Sequence, residues 1–254
     1  MKAYSVILIA APALILAACA SGPKAPVLDN DKNPQYQYEK AVIAMNYGLP
    51  DEALRYLDQA VVLDPRHAKA NRLMGIIRLQ RKEPIPAADA LAKWVEAEPR
   101  SSEGRLYLGT AYQEMGESER AEAEFRASFE IDGSAPAAFR LGRLLMAKGD
   151  LATALDYADQ AIKKADKESD GHNLRGVILN QMGRYPEAVA SFETALGLAP
   201  NDPNLMVNLG IAFINSGAAE KAKALFRKAL PLLKDPALRD KVRNYLKTAE
   251  GRRA

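Results

Sequence analysis

Few side chains in this sequence could do chemistry, and their spacing narrows what that chemistry is. The single cysteine of the 254 residues, Cys19, closes the stretch Leu16-Ala17-Ala18-Cys19. A thiolate is a strong nucleophile and a metal ligand. One thiol makes no intrachain disulfide, and a catalytic zinc needs three protein ligands. The two histidines, His67 and His172, have no second His or Cys beside them, so both read as structural. Acids such as Glu122 and Glu124 lie in "ERAEAEF" with arginine nearby, a solvated helix face. The glycines are spread along the chain and form no phosphate-binding loop. No nucleophile, base and orienting group come together. The expectation is a protein with no catalytic residue, no metal, no cofactor and no small-molecule substrate.

The residues before Cys19 explain why it is there. Lys2 places a positive charge at the start, and Val6 to Ala18 are all apolar or proline. That run is shorter than the ~20 residues a spanning helix needs, and Pro12 interrupts it. It fits the apolar core of a secretory signal with small residues at its end, residues 1–18. An uncleaved anchor is the competing reading. Leu-Ala-Ala-Cys resembles the bacterial lipobox. The resemblance implies a diacylglyceryl thioether on Cys19, cleavage after Ala18, and acylation of the new N-terminus. Two or more acyl chains anchor a protein stably without spanning the bilayer. Ala20 and Ser21 follow, where enteric lipoproteins kept at the inner membrane carry Asp. The expected location is therefore the outer membrane, lipid-anchored, on its periplasmic face.

Composition limits the partners. Lys and Arg number 35 against 32 acids, and no basic stripe marks a nucleic-acid footprint. Hydrophobic residues make up 48% of the chain, enough for a folded core. From Ala20 to Asn33 the chain is small, polar and Pro-containing. Residues 19–33 read as a lipidated N-terminus and flexible tether, reaching at most about 45 Å.

Beyond the tether the sequence repeats. Gly75, Gly109, Gly142, Gly176 and Gly210 recur with the alanines Ala53, Ala87, Ala121, Ala154, Ala188 and Ala222. Pro65, Pro99 and Pro200 close units, with Gly133 and Asp166 in their place elsewhere. The period and the pattern resemble the tetratricopeptide repeat, a helix-turn-helix of about 34 residues. The implied fold is all-α, a right-handed superhelical solenoid of six units over residues 34–235. Residues 236–254 follow as a capping helix and tail, with Leu238, Val242, Tyr245 and Ala249 as an apolar stripe. Within each unit, Gly or Ala on the first helix faces a large residue of the second: Leu57, Leu91, Phe125, Phe192 or Phe226. Gly48, Gly116, Gly149, Gly183 and Gly217 suit left-handed helix ends. Trp94 stands where other units have Ala60, Ala161, Ala195 and Ala229. With Pro84 and Pro86 close by, it predicts loosened or re-angled stacking around unit 2. Trp94 itself is either core filler or a partner anchor.

The resemblance also places the partner surface, on outward positions of the first helices. These are Tyr38, Met45 and Asn46; Arg72, Leu79 and Gln80; Leu106, Thr110, Gln113 and Glu114; and Phe139, Arg143 and Met146. Units 5 and 6 add Asn173, Val177, Asn180 and Gln181, then Val207, Ile211, Ile214 and Asn215. Amides can bond a peptide backbone, while Leu106, Phe139 and Met146 can seat apolar side chains. Val177, Val207 and Ile211 could equally pack between units. Arg72 and Arg143 alone do not make the basic clamp that some family members close on a C-terminal carboxylate. Lipobox, tether and six repeats together resemble the outer-membrane lipoproteins of the PilF/PilW type, pilotins of type IV pili. That resemblance implies a protein or peptide client, a secretin subunit. TadD-type pilus lipoproteins and adaptors of periplasmic cell-wall or envelope-assembly enzymes share the plan.

Overall fold

Close helix crossings set the architecture. In the computed structural model, which describes residues 30–251, a Cβ on Gly109 would lie 2.7 Å from the Phe125 ring. One on Gly176 would lie 2.7 Å from Phe192, and one on Gly75 would meet Leu91. Glycine therefore lets each first helix rest directly on the large side chain of its second helix. Unit 1 solves the same crossing with Ala41 over Leu57, both fully buried. Unit 4 solves it differently. Ala158 stands where the other units carry Leu or Phe, and Leu174 from the next unit fills the gap at Gly142, with Cδ2 3.1 Å from a Cβ built there.

Six helix pairs result. They are α1 (Pro34–Asn46) with α2 (Pro50–Leu63), α3 (Ala68–Gln80) with α4 (Pro84–Ala97), and α5 (Ser102–Glu114) with α6 (Ser118–Asp132). Then come α7 (Ala135–Lys148) with α8 (Leu151–Lys164), α9 (Ser169–Gln181) with α10 (Tyr185–Leu198), and α11 (Pro203–Asn215) with α12 (Ala219–Ala229). α13 (Pro236–Gly251) ends the series, and the described residues contain no strand. The protein is an all-helical solenoid. Each pair packs on the next, so apolar faces that no single hairpin could bury form a nearly continuous core. The recurring alanines Ala53, Ala87, Ala121, Ala154, Ala188 and Ala222 are all fully buried.

Local chemistry sets the helix ends. Asn33 and Asp202 cap α1 and α11 by accepting from the second and third residues beyond them, with proline at the first helical position. Within each of units 1, 3, 4, 5 and 6 the chain turns through a glycine of positive φ. Unit 2 places Lys82 in that register, at φ 62°, a conformation that costs a side-chain-bearing residue roughly 1 kcal/mol.

Two expectations need correction. The stretch before α1 is ordered sooner than a free tether would be. Asn30–Lys32 form a 3-10 turn, because the buried Gln37 side chain donates to the Asp31 carbonyl at 3.0 Å and Lys40 lies 3.5 Å from the Asp31 carboxylate. Trp94 also brings no visible loosening. It is only 2% exposed and sits in a core cluster running from Leu79 to Leu144. Its indole N–H donates to Glu98 at 2.8 Å. Pro84 and Pro86 lie in the first turn of an unbroken α4, where a missing N–H costs nothing.

The far end is covered. Val242 on α13 is fully buried, and Tyr245 stacks on Phe226 at 5.7 Å and 16°. At the other end, among the described residues no helix pair precedes α1, and Ile43, Tyr47 and Val62 are exposed there. Cys19 and the segment before it lie outside the described residues.

Candidate partner groove

The first helices form the inner layer of the solenoid. α3 packs on α5, α7 on α9 and α9 on α11, whereas no pair of second helices meets as extensively. Tighter approach on one side makes that side concave, and the side chains left uncovered there line a groove.

The structure divides the expected lining residues. Asn46, Gln80 and Asn215 are exposed, and Tyr38, Met45, Leu106, Gln113, Phe139, Met146, Asn173, Asn180 and Ile214 are partly so. Leu79 is not available, since it is 8% exposed and packs in the core cluster shared with unit 3. Val207 is likewise buried, while Val177 and Ile211 pack partly against the core of units 5 and 6. Arg72 reaches Glu103 of the next unit at 2.9 Å and lies 5.3 Å over the Trp94 ring. It ties two units together, so its charge is already answered.

The amides of units 5 and 6 are paired in a way that leaves half their capacity free. Asn208 donates to Asn173, and Asn215 donates to Asn180, each at 2.9 Å. A primary amide has two N–H donors and a carbonyl acceptor. The NH2 groups of Asn173 and Asn180 and the carbonyls of Asn208 and Asn215 are thus held in fixed directions with hydrogen bonds still to make. Asn208 was not among the expected lining residues. Its partner lies 35 residues away, and only the stacking of α9 on α11 brings the two together.

Unit 4 contributes a recess of about 690 Å³ lined by Phe139, Arg140, Arg143, Ala161, Ala165 and the start of α9. Small residues create it: Ala161 on α8, Ala165 just past its end and Gly171 on α9 leave open the space beside α7. Arg143 is exposed and lies 5.8 Å from the Phe139 ring centre. Arg140, half-buried beside it, was not picked out in the sequence. A signal was available there, because α7 (APAAFRLGRLLMAK) has no acid to pair with its arginines.

The histidines have structural partners. His67 caps α3, its Nδ1 accepting from the Ala70 N–H at 3.2 Å, and its ring lies 5.6 Å from Tyr38. The His172 Nε2 lies 3.1 Å from the Asp166 carbonyl oxygen. Among the described residues no group of three or more His, Cys, Asp or Glu could hold a metal, and no helix is long and apolar enough to cross a membrane. Between α6 and α7, Lys148 lies 2.8 Å from Glu122, which Arg126 also contacts at 2.8 Å. The Lys148 ammonium, aided by Arg126, holds the Glu122 carboxyl below its ordinary range.

Sequence patterns of the tetratricopeptide repeat match residues 38–102, 106–170, 139–203 and 179–244. The chain belongs to the tetratricopeptide repeat family. Such repeats are scaffolds that bind protein or peptide partners, in keeping with an inner face of directed amides and apolar side chains. The chain is similar to superkiller complex protein 3 of Mus musculus, 23% identical over 252 residues, which cover 82% of this chain and 16% of that one. It is also similar to the peroxisomal targeting signal receptor of Candida albicans, 26% identical over 215 residues, with 81% of this chain and 36% of the receptor covered. The chain thus spans well under half the length of these relatives. A solved structure of Pseudomonas aeruginosa pilF superposes with a TM-score of 0.69 at 13% identity, covering 85% of this chain and 98% of that one. At that identity the likeness concerns the fold.

Proposed function

We propose that this tetratricopeptide repeat protein is a lipid-anchored assembly factor at the outer membrane, facing the periplasm, whose groove holds a segment of a secretin subunit during type IV pilus biogenesis. The observation that carries the proposal is the conjunction of Leu16-Ala17-Ala18-Cys19 with a solenoid whose groove presents unspent amide donors and acceptors. Lipid on Cys19 would confine the groove to a membrane surface. A tethered binder meets a co-localised client at high effective concentration, so modest groove affinity suffices. The fold likeness to the solved pilF chain, matched over 98% of its length, is in keeping with this reading.

A photo-crosslinking side chain placed at Gln113 or Asn180 of the full chain, in its own bacterium, tests the client. Covalent capture of the secretin from both groove positions, and not from exposed Ala123 on α6, is the expected result. Capture of a cell-wall or envelope-assembly enzyme instead would transfer the groove to an adaptor role. Capture of nothing from either position would remove the groove as the binding surface.

A further inference from the structure

We infer that Arg140 and Arg143 form a binding site for an acidic side chain within the client segment. The inference rests on the groove reading above and adds the chemistry of one contact. Elsewhere on the first helices, arginines are answered by carboxylates: Arg72 by Glu103, Arg78 by Glu83, Arg105 by Glu124 and Arg175 by Asp159. Arg140 and Arg143 have no hydrogen bond or ion pair among the described residues. They sit one turn apart on α7, both lining the recess beside Phe139.

The pair is costly as it stands. Burial lowers the Arg140 pKa from its ordinary value, and Arg143 lowers it further, with Glu114 opposing only in part. Two like charges, one of them half desolvated, are stabilised when an anion joins them. A guanidinium fork donates two parallel hydrogen bonds to a carboxylate. Glu168 and Asp170 line the opposite rim but lie at the start of α9, where the helix dipole already favours negative charge. Their presence disfavours a run of acids and selects a segment with one acid among apolar or amide residues. The Phe139 ring supplies the apolar wall next to that contact. Met146 on α7 and Asn173 on α9 are partly exposed beyond the recess and leave room for a client chain that continues past it. The carboxylate is therefore that of an internal Asp or Glu.

The test uses capped nine-residue peptide libraries, each with one residue fixed at the centre, retained on the full chain and on Arg140→Gln and Arg143→Gln variants. Neither arginine supports another residue through a salt bridge, and each substitution removes a like-charge neighbour, so neither variant should melt below the parent. The expected result is enrichment of central Glu and Asp over Gln and Asn by roughly tenfold, the scale of one charge-assisted contact. That preference should weaken in each variant and with added salt. Retention without acid preference, or with a preference that survives both substitutions, would overturn this site and leave the groove standing. A parallel library with free C-termini is the control, and retention that requires the free terminal carboxylate would overturn the internal contact. Retention of no peptide would overturn the groove together with the site.

Discussion

Replacing Gly176 by alanine asks one question of the fold: does close approach of α9 to α10 depend on the missing Cβ? The added carbon would lie 2.7 Å from two ring atoms of Phe192 and 2.9 Å from a third. Phe192 is 2% exposed, so its ring has little room to yield. Overpacking of this kind costs about 1–3 kcal/mol, and alanine returns about 1 kcal/mol of helix propensity. The expected net loss is about 1 kcal/mol. Gly197 on α10 is the control. A Cβ there meets nothing within 4 Å, so Gly197→Ala should gain about 0.5 kcal/mol. Phe192→Leu added to Gly176→Ala rebuilds the Ala41 and Leu57 pair of unit 1 in unit 5. The double variant should then lose less than the sum of its two single losses. Urea unfolding by far-UV circular dichroism, with unchanged slopes, reads the four variants against the parent. If Gly176→Ala gains as much as Gly197→Ala, the close-crossing argument fails.

Three further outcomes are expected. Lys82→Gly should raise stability by roughly 0.5–1 kcal/mol by relieving the positive φ; a loss in urea unfolding would show that the contact of Lys82 with Glu114 at 2.9 Å outweighs the strain. Glu122→Gln should lose about 1 kcal/mol at neutral pH through its contacts with Lys148 and Arg126. The folded pKa of Glu122 is depressed below the usual 4.5, so this contribution is present above that pH and disappears as pH falls through the folded value. Thermal melts of the two proteins should therefore converge on acidification below about pH 4.5, and a constant gap would contradict the assignment. Phe139→Ala with Met146→Ala should weaken retention of the captured client several-fold while the chain stays helical; unchanged affinity would move the site away from unit 4.

The fold was legible because five of the six units repeat the same pairing of a small residue on one helix with a large one on the next. Gly75, Gly109, Gly176 and Gly210 announce it in the sequence, and the alanines that follow confirm its register. The lining of the groove was less legible, for reasons that differ from residue to residue. Leu79 has the register of a groove residue but lies at the junction with unit 3 and packs into the core cluster shared with that unit. Asn208 matters through a partner one repeat away, and such contacts follow from stacking, which no single unit encodes. Ala158 breaks the rule of a large residue in the second helix, and Leu174 of the next unit compensates. Arg140 and Lys82 could have been found: one by the lack of acids on its helix, the other by its register with the turn glycines.

The central claim is that a membrane-held groove assists secretin assembly, and heat-resistant secretin multimers in the outer membrane measure it most directly. In a deletion strain those multimers should vanish, return with the wild-type gene, and fail to return with Cys19→Ser although that variant folds and is exported. Multimers that persist at normal level and location without the protein would contradict the account.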